Sequence, residues 1–444
     1  MSDAPVRTVS QPEPVTPATA ASTETPATAA PPGPAVRFDP LAPETMAEPG
    51  PVYSELRAKC PFHRHQTETH DFWVTSDYEE IKRDVLADNP VWSFKFGNAA
   101  KDTISNVGFV TDPPFHMAFR AALQAGLSPR AVQAYQPRVE AIAHELLEAM
   151  LARSGPDGHG EADFVDAFAM PLPARVMCLM LGLPEAGYRE YKRWSDELQA
   201  QLFHSTTPGS HEKLLGEVVP FFRAQIAQRR DKLAAAGVAE PTLAHLGNVL
   251  PDDFLSRAIA TRVEGRPLTE PEILNVCLAF LTGGQETTAN LIGNLTWRLL
   301  QVPERWQALR ANPALIEAAV EESLRHDPPV LAHFRTSLCP VTMHGHELPE
   351  HAKLMFNIAG ANREPAKFPD GDSFRLDRPL AEARQHLSFG NGVHFCLGAP
   401  IARLEARIAM QLLTQRVPTL RLLGSGERIR TWMYWGRSKL PVAW

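Results

Sequence analysis

Apolar side chains at Val139, Ile142, Leu146 and Met150 recur three and four residues apart, which lays one apolar stripe along a helix. Ile316, Val320 and Leu324 repeat that spacing, and a longer helical pattern runs over residues 269–300. The longer one opens Thr269-Glu270-Pro271-Glu272, which reads as a capping box with Thr at the N-cap, Glu at N3 and proline in the first turn. A further helical stretch begins at Ala399. Short strands are predicted at 72–75 (Phe-Trp-Val-Thr), 354–358 and 440–444, too few for a sheet-dominated molecule. The pattern therefore predicts a mainly α fold with small β-sheets and no internal repeat. No apolar run reaches the ~18–20 residues that a membrane helix needs. A soluble, cytoplasmic, monomeric chain without a membrane partner is expected.

Residues 1–36 break the pattern. Pro, Ala, Thr and Ser dominate there, and so few large apolar groups cannot offset the entropy of ordering. The segment lacks the apolar core of a signal peptide and the Arg-rich face of a transit peptide. A disordered tail over 1–36 and a single folded domain over 37–444 follow. At 444 residues, 44% of them hydrophobic, the chain can bury a large core. Its net charge of −7 argues against a general nucleic-acid binder. Five scattered cysteines with no CxxC read as reduced thiols rather than a disulfide framework.

The densest chemistry lies in Phe389-Gly390-Asn391-Gly392-Val393-His394-Phe395-Cys396-Leu397-Gly398, where three glycines and aromatics crowd one thiol. Glycine lets a backbone lie flat against a large planar group and aim its N–H groups at sulfur. A thiolate is a strongly electron-donating axial ligand to iron. For an isolated cysteine, an inert buried thiol beside a turn is the simpler reading. The ten-residue run as a whole resembles the signature of the cytochrome P450 superfamily, FxxGxxxCxG, with a His two residues before the Cys. The resemblance implies a triangular, helix-rich prism. Haem b would lie between a long central helix and the Cys-loop helix, with Cys396 on the iron and Phe389 and Gly398 against the cofactor. Dioxygen would be the co-substrate.

Other stretches fit the same family. Two glycines in the middle of the 269–300 helix cost about 1 kcal/mol each relative to alanine, so something must press against Gly283-Gly284-Gln285-Glu286-Thr287-Thr288. The stretch is similar to the family's (A/G)Gx(D/E)T element, which implies that Gly283 and Gly284 make room for dioxygen. Thr287 would hydrogen-bond the oxygen being cleaved and Glu286 would relay protons from solvent. Gln285 carries no expected role. Glu322 and Arg325 sit three apart on a helix, where an ordinary surface pair is worth about 0.2–0.5 kcal/mol. The resemblance instead makes them a buried structural brace completed by Arg378. His116, Arg120, Arg335 and His394 would hold the haem propionates. Ala279, Thr282, Gly283, Val330, Leu331, His333, Met433 and Tyr434 would line the substrate pocket. The order of these motifs resembles the soluble bacterial branch near camphor hydroxylase, although the tyrosine that binds camphor there is replaced near Ile104.

The chain has no flavin or nicotinamide fingerprint and no iron–sulfur spacing. Electrons from NAD(P)H are therefore expected through an iron–sulfur ferredoxin and a ferredoxin reductase, docking where Arg403 begins the helix after the cysteine. The negative total charge leaves only a local basic patch to steer that encounter. The expected reaction is hydroxylation, or dealkylation, of a small-to-medium apolar organic molecule. A peroxide-driven haem-thiolate hydroxylase and a non-catalytic haem sensor or carrier are the rivals, and the Glu286-Thr287 pair weighs against both. Cys60, His63 and His65 cluster, but zinc needs about four ligands at defined spacing, and no second pair follows.

Overall fold

Ser128 accepts the Ala131 N–H and Pro129 fills the first turn, which starts the helix Pro129–Leu151. It buries Val139, Ile142, Leu146 and Met150 on the predicted face. The computed structural model describes residues 38–40, 42–68, 70–87, 90–97, 99–100, 107–203 and 210–444. The tail expected over 1–36 and the position of Ile104 lie outside the described residues. All described residues belong to one unit, Val36–Trp444.

The interior is helical. Glu286–Leu300 packs against Leu315–His326 and against Ala399–Arg416, which itself lies on Pro129–Leu151. The largest sheet has five strands in the order Phe62–Gln66, Asp71–Thr75, Lys353–Asn357, Ala332–Ser337 and Trp92–Ser93. Leu354 pairs with Trp73 on one side and with Arg335 on the other, so Arg335 is held in a ladder. The strand predicted over 354–358 stops at Asn357, whose side chain accepts the Gly360 N–H and starts a short helix at Ile358. No helix among the described residues is long and apolar enough to cross a membrane.

The 269–300 pattern starts as read. Thr269 accepts the Glu272 N–H, and the Glu272 side chain accepts the Thr269 N–H. It does not run through, because the structure forms two helices, Glu270–Gly283 and Glu286–Leu300, with Gly284 and Gln285 between them. Side chains replace the interrupted ladder. Gln285 Nε2 donates to the Leu281 carbonyl at 2.8 Å, and Thr287 Oγ1 donates to the Gly283 carbonyl at 2.9 Å. Gln285, given no role by its position in the motif, is fully buried and repairs the break.

Candidate functional site

The helix break and the cysteine loop face each other across a cavity. Ala279, Gly283 and Gly284 form one wall, and Cys396, Leu397, Gly398 and Ile401 the other. A Cβ built on Gly283 would meet nothing within 4 Å, so this glycine opens onto the cavity. Gly284 is more confined, because its Cβ would lie 3.1 Å from the Phe280 carbonyl. Both glycines read as making room; the open space lies at Gly283, while Gly284 is closed in by the backbone turn.

The loop is built to present sulfur. Gly392 has φ +66°, and a Cβ there would stand 2.2 Å from the Leu86 carbonyl, so only glycine fits. The Cys396 N–H donates to the Phe389 carbonyl at 2.8 Å, which closes the loop behind the thiol. The Cys396 side chain is exposed to the cavity rather than to bulk solvent. Burial raises the Cys396 thiol above its ordinary pKa, against the pull of the Gly398 and Ala399 N–H groups and of Arg120 and Arg403. A bound cation deprotonates such a thiol outright.

One edge of the cavity is basic. His116 Nε2 donates to the Val393 carbonyl at 3.1 Å and its ring lies 3.9 Å from that of His394, while its Nδ1 is buried without a partner. Arg120 lines the same edge, and neither it nor Arg335 is in a salt bridge with a described residue. Burial takes the Arg335 guanidinium down to about 10, despite Asp112. Burial, then Arg335, His116 and Arg120, bring His394 down to about 2. Arg335 opens onto an adjoining recess that it shares with His394 and Asp112. This positive edge, beside a cavity with a free thiol on one wall and a bare glycine on the other, fits a flat iron tetrapyrrole with two carboxylates.

Glu286 lies off this cavity. It lines a second cavity together with Lys192, Asp196, Gln199, Asn290 and Tyr434. Lys192 Nζ donates to Glu286 Oε2 at 2.8 Å and pairs also with Asp196, while Asn290 Nδ2 donates to Glu286 Oε1 at 3.3 Å. Burial opposes the Lys192 ammonium, but the two carboxylates outweigh it and hold its pKa above the ordinary value. Burial raises Asp196.

The brace is assembled as expected. Glu322 takes Arg325 Nη2 and Nε at 2.8 Å each and Arg378 Nε at 3.0 Å, and all three side chains are buried. Arg325 also donates to the carbonyls of Asn362, Gly371 and Ser373. Asn362 reaches onward, accepting the Leu387 N–H at 2.7 Å and donating to Ser388 Oγ at 2.9 Å, and so ties the brace to the cysteine loop.

Several expected pocket residues lie elsewhere. Val330, Leu331 and Met433 are buried in an apolar cluster with Phe334 and Trp432, and the Leu331 N–H donates to the Met433 carbonyl. Tyr434 turns to the second cavity and bonds Gln199. Thr282 Oγ1 donates to the Leu278 carbonyl at 2.8 Å, and His333 packs on Phe356 with burial bringing it down to about 3. Of the eight expected pocket residues, Ala279 and Gly283 line the first cavity. Arg403, expected on a docking face, forms a fork with Glu321, its Nε 2.6 Å from Oε1 and its Nη2 2.8 Å from Oε2. In the cysteine–histidine cluster, Cys60 Sγ donates to the Phe62 carbonyl and His65 Nδ1 contacts the Phe38 carbonyl.

Sequence reasoning missed Lys192, Asp196, Gln285, Glu321 and His386. The i,i+4 pair Lys192/Asp196 was visible, but any exposed helix carries such pairs.

Comparison with known proteins gives the same answer from another direction. The family model described as cytochrome P450 matches residues 41–417. The cytochrome P450 monooxygenase PikC of Streptomyces venezuelae is 35% identical over 91% of this chain and 93% of its own length. The mycinamicin IV hydroxylase/epoxidase of Micromonospora griseorubida is 32% identical over 88% of this chain and 94% of its own length. Among solved structures, the Bacillus subtilis bacillaene polyketide synthase P450 PksS superposes with a TM-score of 0.77 at 27% identity, covering 91% of this chain and 99% of that one.

Proposed function

The chain belongs to the cytochrome P450 family and is a haem-thiolate monooxygenase, and from that premise we propose that it hydroxylates, or dealkylates, a small-to-medium apolar molecule with electrons from a separate ferredoxin and its NAD(P)H-dependent reductase. The observation that carries the reading is the Cys396 thiol set across a cavity from Gly283, with His116, Arg120 and His394 along one edge. Haem held through Cys396 would supply the iron at which dioxygen is reduced, and thiolate ligation would favour O–O cleavage. Arg120, Arg335, His116 and His394 would orient it by its carboxylates. Relatives named for mycinamicin and for erythromycin extend the candidate substrates to large lactones. A spin-state titration against such lactones, terpenes, aromatics, fatty acids and steroids would identify the class.

Thr287 and Glu286 divide the proton work. The Thr287 hydroxyl sits at the helix break, donating to the carbonyl of Gly283, which lines the cavity. Glu286 collects protons from the second cavity, where Lys192 and Asn290 hold its carboxylate. Thr287→Ala is expected to keep haem and fold but to divert reducing equivalents into hydrogen peroxide, lowering product by roughly 10²-fold, within the usual range for a lost acid–base group. Unchanged coupling of NAD(P)H consumption to product would refute the role. Glu286→Gln should instead slow turnover by a similar roughly 10²-fold and raise the solvent deuterium isotope effect, because the proton source is further away. An isotope effect equal to that of the parent enzyme would remove Glu286 from the path.

The carbon monoxide adduct of the reduced protein tests the whole reading. A thiolate-type Soret band is expected, followed by product formation with surrogate ferredoxin and reductase. An imidazole-type band contradicts it.

A further inference from the structure

Arg403 lies seven positions after the cysteine, on the first turns of Ala399–Arg416, yet its charge does not reach solvent unopposed. Its fork with Glu321 uses Nε and Nη2, the geometry that fixes a guanidinium in one plane. Glu321 is 1% exposed and belongs to the same helix as the brace residue Glu322. A third group closes the cluster: His386 Nε2 lies 3.2 Å from Glu321 Oε2. The His386 Nδ1 accepts the Ser388 N–H at 3.2 Å, which places the imidazole proton on Nε2, facing the carboxylate. The Arg403 Cζ lies over the Phe389 ring, 4.6 Å from its centroid. Phe389 is the residue whose carbonyl holds the Cys396 N–H.

We propose that Arg403 is a positioning residue for the cysteine loop: Glu321 and His386 hold its guanidinium over the Phe389 ring, and Glu321 offsets the pull that its charge exerts on the Cys396 sulfur. The proposal rests on the haem-thiolate reading above. Hydrogen bonds and nearby charge set the donor strength of a cysteine ligand and the potential of its iron. Two unbalanced charges of opposite sign can be exposed here one at a time. Glu321→Gln leaves the Arg403 cation uncompensated, which favours the reduced, less positive cofactor and raises the potential. Arg403→Gln leaves the Glu321 anion uncompensated and lowers it.

The test is spectroelectrochemical titration of the haem-loaded protein. Glu321→Gln and Arg403→Gln should move the midpoint in opposite directions, each by about tenfold in the equilibrium constant, which is 59 mV for one electron. Arg403→Lys, which keeps the charge, should stay near the parent value, and the double variant should return toward it. A residue that only docks a partner would slow reduction by ferredoxin in a salt-dependent way and leave all four midpoints equal, and that result overturns the proposal. If one single variant fails to fold, the other still decides it, because a docking role predicts no midpoint change there and loss of balance predicts one. A parent protein with an imidazole-type carbon monoxide spectrum would instead defeat the haem-thiolate reading itself.

Discussion

Glu322→Ala should cost about 3–5 kcal/mol of folding stability, the usual range when one partner of a buried ion pair is removed. The side chains of Arg325 and Arg378 are 0% and 1% exposed, so each would keep its charge in the interior with fewer acceptors. Arg325 would retain its carbonyl partners at Asn362, Gly371 and Ser373, which place rather than neutralise it. Set against a typical total of about 5–15 kcal/mol, the loss is large enough to depress soluble yield and the denaturant midpoint together. Arg83→Ala, which removes an exposed partner of Asp84, is the matched control and should leave stability essentially unchanged. Equal midpoints for the two variants would show that the brace is not structural.

Cys396→Ala is expected to abolish monooxygenation while leaving the apoprotein folded. The loop is closed by the Cys396 N–H on the Phe389 carbonyl, a backbone bond that alanine preserves, and the thiol itself faces the cavity. The variant should therefore show a near-native apoprotein melting temperature, no thiolate-type carbon monoxide band and no product with competent redox partners. Retained product formation would place the chemistry on another residue.

Much of this was legible in the sequence where function and local geometry coincide. The cysteine loop is spelled in ten consecutive residues because glycine at 392 and sulfur at 396 answer to the same few ångströms of backbone. The capping box at Thr269 and Glu272 is likewise a local contract. The Glu322–Arg325–Arg378 brace was reached through family resemblance, since its spacing alone describes any helix surface.

What escaped was decided by tertiary placement. Lys192 and Asp196 look like ordinary helix-surface charges until Glu286, ninety-four residues from Lys192, is brought against them. Arg403 looks like a free basic residue because its carboxylate partner is 82 residues earlier in the chain. By their distance from the motifs, Val330, Leu331 and Met433 read as pocket residues. In the folded chain, pairing of Ala332–Ser337 with Lys353–Asn357 and the Leu331–Met433 bond turn that segment into core.

The interruption between Gly283 and Glu286 has a consequence for anyone wishing to transplant it. Glycines alone would not reproduce it, since the carbonyls of Leu281 and Gly283 receive their bonds from the side chains of Gln285 and Thr287. A borrowed notch lacking those two polar residues would strand an acceptor at each site, at about 1–3 kcal/mol apiece. The portable unit is the whole heptapeptide 281–287, in which the Gln285 amide and the Thr287 hydroxyl together cap the carbonyls that the gap exposes.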